Sequence, residues 1–425
     1  MARLEVRLHN DLAGHLERAE QGRLRFSYLQ EWVENGGNML SHSLPVRIEE
    51  FDDLESRPFF SGLLPEGEFL RAVARSFGVS ASNPFSLLDA IGGECAGAVS
   101  MTPDGSGPIE EKPPKWLTSE ELADLIEELP TKPLSFDDDE DDEDGLRLSL
   151  AGAMEKLPVV FQSGSIGITR GDPPSTHIIK LPPDNLDDLV ANEAFCLSLA
   201  SKCGLKAAEA RPVIASRGML SEAGEPEFLL VTRYDRVKRG TKRLHQEDLC
   251  QSLGIVPDLK YEADGGPGVR DCAEQLRRFS ATPAIDILAF GDALVFNMII
   301  GNHDAHSKNY SMLLEGRGAP KLAPLYDLVA TTVYPGLSRK MAMKMGGEYR
   351  PDYVRKRHLV RLADDLGVAT NAFLKRVEKL CERIRRESTS SDLIDSSFTD
   401  RPVLGRIRET IENRSTRLLS SLAES

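Results

Sequence analysis

The chain has 425 residues, 40% of them hydrophobic and 28% charged, with a net charge of −15. That length suits two to four domain-sized units or one two-lobed domain with additions. The negative total argues against a protein that coats nucleic acid through its own field. No apolar run approaches the length of a membrane span, and the opening stretch MARLEVRLHNDLAGHLERA lacks the apolar core of a leader peptide. Six cysteines are scattered without a CxxC pair, so reduced, mostly buried thiols in a cytoplasmic protein are expected.

Residues 1–101 read as a small α+β unit. RLEVRLHNDLAGHL alternates like a strand and turns at Asn10-Asp11. FFSGLLPEGEFLRAVARSFG starts as a loop and becomes an amphipathic helix after Pro65, and NPFSLLDAIGGECAGAVSM gives a short helix, a Gly-Gly break and a small-residue strand. Residues 102–147 read as a linker. They contain a helix over 117–130 with Ser119 as its N-cap, and an acidic run, DDDEDDED, at 137–144 that like-charge repulsion keeps solvated.

Residues 148–240 read as strand-rich, with LSLAGAMEKLPVVF, STHIIKLP and EPEFLLVTRYDRV as strands and NLDDLVANEAFCLSLASKCG as a helix. Residues 241–425 read as helix-rich. ATPAIDILAFGDALVFNMIIG is a long apolar helix ending at Gly301, and FLKRVEKLCERIRRES and RPVLGRIRETIENRSTRLLSSLA are tail helices. The last 71 residues carry 15 Lys/Arg against 11 Asp/Glu, so a local basic face remains possible despite the net charge. A small β-rich lobe on a helical lobe places a ligand cleft between them.

The polar loop GNHDAHSKN after the apolar helix is the strongest chemical signal. His303, Asp304 and His306 are ligand types, but the two histidines are three apart in a loop and lack a matching Cys/His cluster, which argues against zinc. Phosphoryl transfer fits better. It needs a carboxylate base, an amide and a second carboxylate for Mg²⁺, and a Lys on the phosphates. Asp304 and Asn309 have the D-x-x-x-x-N spacing, Tyr326-Asp327-Leu328 stands where a kinase carries D-F-G, and Lys180 lies inside an apolar strand with Glu193 as candidate partner. Lys308 lies inside the loop, near enough to neutralise a transferring phosphate. No GxxxxGK[ST] occurs, and Gly265-Gly266-Pro267-Gly268 is a structural turn or a shaper of a peptide groove.

These residues belong to a longer ordered set. SLAGAMEK, STHIIKLP, NEAFCLSLASKCGL, TRYDR, HQEDLCQSLG, KYEADGGPG, GNHDAHSKN and PLYDL follow one another between 149 and 328, after FSGLLPEG and NPFSLLDAIGGECAGA. The chain thereby resembles the HipA family of toxin serine/threonine kinases over nearly its whole length. The resemblance implies an α+β, protein-kinase-like two-lobed fold with a small N-terminal α+β subdomain and a larger all-helical C-terminal lobe. It implies ATP and Mg²⁺, with Asp304 as base and Asn309 and Asp327 on the metal; Lys308 joins Asp304 as a catalytic candidate by screening phosphate charge. The nucleotide would meet Ala151, Gly152, Ala153, Met154, Glu155, Lys156, Lys180, Thr232, Arg233, Tyr234, His306, Ser307, Lys308, Asn309 and Tyr326, with Tyr234 against adenine. Ser149 would be the autophosphorylation site. Met154 stands where the family commonly has Gln, and the acidic insert is unusual.

The implied partners are a small HipB-like helix-turn-helix antitoxin, operator DNA reached through it, and a protein substrate, an aminoacyl-tRNA synthetase and in particular the glutamyl enzyme. The expected site of action is the cytoplasm, at the nucleoid when antitoxin and DNA are bound. Two rivals stay open: a catalytically silent kinase-fold co-repressor, and a small-molecule or lipid kinase.

Overall fold

A computed structural model of the chain describes residues 2–108, 112–129, 156–169, 174–183, 185–215, 225–237, 242–314 and 318–424. Ser149, Ala151, Gly152, Ala153, Met154, Glu155 and the acidic run 137–144 lie outside them. The fold is α+β and kinase-like, with three hydrophobic cores among the described residues.

The N-terminal core is covered by a four-stranded antiparallel sheet in the order Leu24–Tyr28, Asp11–Arg18, Ala2–Leu8, Val99–Pro103. The first hairpin turns through His9 and Asn10, both at positive φ, one residue before the position read from the sequence. Phe59, Phe60, Leu87 and Leu88 fill the space beneath the sheet. The segment expected to open as a loop is instead the end of a helix, Asp53–Gly62, started by a capping box between Asp52 and Glu55.

The second core lies under a six-stranded antiparallel sheet in the order Lys115–Trp116, Ser165–Ile168, Lys156–Gln162, His177–Lys180, Glu227–Thr232, Ala210–Ile214. The edge strand 115–116 and the helix Ser119–Glu128 come from the stretch read as a linker. That helix packs Ala123 and Ile126 against Leu157 and Ile179, so this part of the linker belongs to the lobe. Its cap is Thr118, whose hydroxyl accepts from the Glu121 N–H at 3.2 Å, and not Ser119.

The helical lobe forms the largest core. At its centre is Pro283–Ile300, eighteen residues with a mean hydropathy of 1.7, which is long and apolar enough to cross a membrane. The sequence had suggested no such run. Two thirds of this helix is buried inside the protein, where it packs against the tail helices Thr370–Glu387 and Pro402–Ala423 and Phe290 sits edge-on to Tyr310, so its apolarity serves the core. Gly301 ends it at φ +90, where a Cβ would meet Thr332 at 2.3 Å. The lobe is not all-helical as the resemblance implied, because a three-stranded sheet, His245–Asp248, Ser311–Leu314, Lys321–Leu322, frames the polar loop. All six cysteines are buried and unpaired.

Candidate active site

A cavity of about 380 Å³ lies between the six-stranded sheet and the helical lobe. Lys156, Lys180, Thr232, Arg233, Tyr234, Asp304, His306, Lys308, Asn309, Tyr326 and Asp327 all border it, although they come from five separate stretches of chain. Each is placed by its element. The strand His177–Lys180 pairs with Glu227–Thr232 through Lys180 opposite Leu229, so one strand delivers the lysine and its neighbour runs on into Thr232–Tyr234.

Lys180 is buried. Its ammonium bonds Glu193 on the helix Leu189–Lys202 at 2.5 Å and pairs with Asp327. Burial opposes a charge there, but the two carboxylates outweigh it and push Lys180 above the ordinary lysine range. Burial pushes the Glu193 carboxyl up, and the Lys180 ammonium opposes that. Asp327 is held well below the carboxylate range against the burial cost, by Lys156 first and Lys180 next. Lys156 is 3.7 Å from Asp327, and burial pulls its own pKa down. Asp327 sits at φ +51, a left-handed conformation that costs a non-glycine residue free energy and that the surrounding contacts must enforce.

Asn302 is the staple. Its amide donates to Asn297 Oδ1 at 2.9 Å and to the Asp327 carbonyl at 3.2 Å, while its oxygen accepts the Asp304 N–H at 3.1 Å. The two acidic segments are thereby fixed to one helix end. Asn309 closes the loop by donating to the Asp304 carbonyl at 3.0 Å. Asn309 itself borders the cavity. Asp304 opens to the cleft, yet the protein around it raises its carboxyl above the usual range, with the Tyr261 hydroxyl opposing. The Tyr261 hydroxyl donates to Asp304 Oδ1 at 2.7 Å.

Other residues stand differently from the sequence reading. Lys308 borders the cavity, but its ammonium is taken up by the Gly62 carbonyl at 2.9 Å, Asp248 at 3.1 Å and Glu66 at 3.5 Å. It ties the loop to the N-terminal subdomain, and a phosphate-neutralising role does not follow from this placement. Ser307 is buried and faces Cys250 and the Lys260 carbonyl, away from the cavity. The Arg233 guanidinium also turns away, into a buried network with Glu94 and Asp235. Tyr234 stacks on Tyr326 with centroids 5.9 Å apart and donates to Gln246 at 2.5 Å. His306 is buried, its pKa pushed down to about 3 by desolvation, so it is neutral at physiological pH. His303 bonds the Ser338 carbonyl and Arg414, and shares no ligand site with His306.

Sequence reasoning missed Glu66, Glu94, Asn302, Lys260 and Tyr261. Lys260 and Tyr261 lie within a quoted motif, KYEADGGPG, but nothing local shows that they face Asp304. Among the described residues no group of three or more His, Cys, Asp and Glu could hold a metal alone. The carboxylate of Asp327 and the amide oxygen of Asn309 are hard oxygen donors on one cavity. That set fits a Mg²⁺ that keeps water and takes its remaining ligands from phosphate.

Comparisons with known proteins give the family of the chain. A family model described as the HipA-like C-terminal domain matches residues 148–388, and one described as the HipA N-terminal domain matches residues 4–102. The chain is 40% identical over 401 residues to Y4mE of Sinorhizobium fredii, covering 91% of this chain and 92% of that protein. It is 30% identical over 396 residues to the serine/threonine-protein kinase toxin HipA of Shewanella oneidensis, covering 90% of this chain and 87% of the toxin. The solved complex of Shewanella oneidensis HipA with HipB and its operator DNA contains a chain that superposes with a TM-score of 0.82 at 25% identity, over 99% of this chain and 98% of that one.

Proposed function

Because the chain belongs to the HipA family, which includes a serine/threonine kinase toxin, we propose that it is an ATP- and Mg²⁺-dependent serine/threonine protein kinase of the toxin type. The observation that carries this reading is the convergence of Lys180, Asp304, Asn309 and Asp327 on one cavity. The acceptor hydroxyl oxygen attacks the γ-phosphorus, the bond to the β-phosphate oxygen breaks, ADP leaves, and the proton passes to Asp304. A carboxyl raised above the usual range suits that role, since a base works best with its pKa nearer the operating pH.

Lys156 and Lys180 bind phosphate oxygens, and Glu193 keeps Lys180 in place when a nucleotide competes for it. Asn309 and Asp327 hold the Mg²⁺, which when bound neutralises phosphate charge. Thr232, Arg233 and Tyr234 form the hinge segment through their backbone, with Tyr234 and Tyr326 on the adenine side. His306 lines the nucleotide as a neutral ring, and Lys308 positions the loop. By family resemblance residues 151–156 contact the nucleotide phosphates and Ser149 is the autophosphorylation site, whose doubly negative phosphate stops ATP binding.

The division at 101 and 240 follows from the same reading, as N-terminal subdomain, nucleotide lobe and catalytic lobe, with the strand Lys115–Trp116 and the helix Ser119–Glu128 counted in the nucleotide lobe. The partner is a helix-turn-helix antitoxin that carries the toxin to operator DNA, by analogy with the HipA–HipB–DNA assembly of the relative. The target is an aminoacyl-tRNA synthetase, with the glutamyl enzyme first in line, and its phosphorylation arrests translation in the cytoplasm. The test is transfer of label from γ-labelled ATP to proteins of a cell extract, by wild type and by Asp304→Asn. Label on serine or threonine, absent with the variant, is the expected result. No label on any protein removes the kinase reading, and label confined to small molecules or lipid redirects it.

A further inference from the structure

The loop from Ile255 to Gly268 has no part in the nucleotide reading, yet it brings two side chains to the Asp304 end of the cavity. It is built to hold one shape. The Tyr261 carbonyl accepts from the N–H groups of Asp264 at 3.1 Å and Gly266 at 3.0 Å, and Gly265 sits at φ +92. A Cβ at Gly266 would lie 1.9 Å from the Leu259 carbonyl oxygen, so only glycine lets the loop close this tightly. Outside contacts pin it on three sides. Lys260 bonds Glu66 of the N-terminal subdomain at 2.5 Å, Ser307 donates to the Lys260 carbonyl at 3.1 Å, and Glu262 accepts the Lys344 N–H at 2.6 Å.

The held loop puts the Tyr261 hydroxyl 2.7 Å from Asp304 Oδ1, with the phenol ring edge-on to His306 at 5.1 Å. Among the described residues it is the one hydrogen-bond donor to the Asp304 side chain. Desolvation first, and Asp304 next, push the phenol above its ordinary range, so it stays a donor at physiological pH. A base about to take a proton from an acceptor must first accept a hydrogen bond from that acceptor, at roughly 2.6–3.2 Å. Tyr261 makes that same bond.

We propose that Tyr261 selects the acceptor: its hydroxyl holds the acceptor's place at Asp304 until a protein hydroxyl displaces it, and so denies that place to water. This rests on Asp304 being the base. With the place open, water attacks the γ-phosphorus, the bond to the β-phosphate oxygen breaks, the proton goes to Asp304, and ADP and inorganic phosphate leave.

The test uses Tyr261→Phe in the full chain, which keeps the ring and the loop anchors and removes the hydroxyl. Inorganic phosphate released and phosphate transferred to protein are both measured against ATP concentration. The expected result is a several-fold rise in the ratio of release to transfer, with the KM for ATP unchanged. A residue of purely structural importance would lower both rates together and leave the ratio alone. An unchanged or lower ratio overturns the proposal, and so does phosphate found on Tyr261 itself, which would make it an acceptor. Asp304→Asn run in parallel separates the two readings. If that variant still transfers phosphate, the assignment of the base fails; if it is silent and the Tyr261→Phe ratio is unchanged, only the role of Tyr261 fails.

Discussion

Replacing Glu94 by Gln should uncouple the N-terminal subdomain from the hinge of the nucleotide cleft. Glu94 is fully buried, and one carboxylate oxygen accepts from Ser175 Oγ at 2.7 Å, Arg233 at 3.0 Å and Arg236 at 3.1 Å. Asp235 shares both guanidiniums, and it also accepts the Gly97 N–H at 2.8 Å. Two arginines thus face two carboxylates out of water. Burial disfavours the Glu94 carboxylate, but Arg233 and Arg236 reverse this and lower its pKa. Removing one negative charge leaves two buried guanidiniums on a single carboxylate. Breaking a buried pair in this way costs about 3–5 kcal/mol. At roughly 2–4 °C per kcal/mol for a domain of this class, the melting temperature should fall by about 10 °C. The exposed pair Arg270–Asp365, at 2.9 Å, is the control. Asp365→Asn should cost under about 1 kcal/mol, because solvent screens that pair. Thermal unfolding followed by circular dichroism reads both variants. A Glu94→Gln shift no larger than the control's would refute the argument that this network joins the subdomain to the hinge. A second consequence follows from Arg233 lying between Thr232 and Tyr234: the variant should raise the KM for ATP.

Lys180→Met should leave Glu193 and Asp327 facing each other without their shared cation, cutting phosphoryl transfer by about 10²-fold or more and lowering stability by about 3–5 kcal/mol; wild-type rates with intact stability would remove Lys180 from the site. Acid should destabilise the protein before its carboxylates titrate. His303 and His306 have folded pKa values pushed down by burial to about 4 and about 3, against an ordinary 6.5, so between those values the unfolded chain binds more protons. Stability is therefore complete above pH 6.5 and falls as pH drops below it, by up to about 2 kcal/mol for His306 at pH 5. Melting temperatures at pH 7.5 and 5.5 check this, and equal values would contradict it.

The signals legible in the sequence were those carried within one element or at fixed spacing. The long helix and its glycine stop, the buried lysine on a strand, and the Asp304–Asn309 interval all came from local pattern. Even the need for a Lys180 partner could be argued from the cost of burying an ammonium, which pointed to Glu193 thirteen residues on. The subdomain contacts could not be read this way. Glu94 meets Arg233 across 139 residues, and Gly62 meets Lys308 across 246, and nothing in either segment alone encodes the other. Lys308 illustrates the consequence. From the loop alone it looked free to meet phosphate, and only the arrival of Glu66 and Gly62 from the N-terminal subdomain shows its ammonium occupied. The helix Ser119–Glu128 was likewise legible as a helix from its capping residues, while the sheet that it covers was not.

Lys180, Asn309 and Asp327 are proposed to share one metal–nucleotide site. Calorimetric titration of the wild-type chain with ATP, with and without Mg²⁺, tests it most directly when repeated on Asp327→Asn. The expected result is one site per chain in the wild type, tightened by Mg²⁺, and loss of that tightening in the variant. Absence of binding, or a Mg²⁺ dependence that survives Asp327→Asn unchanged, would contradict it.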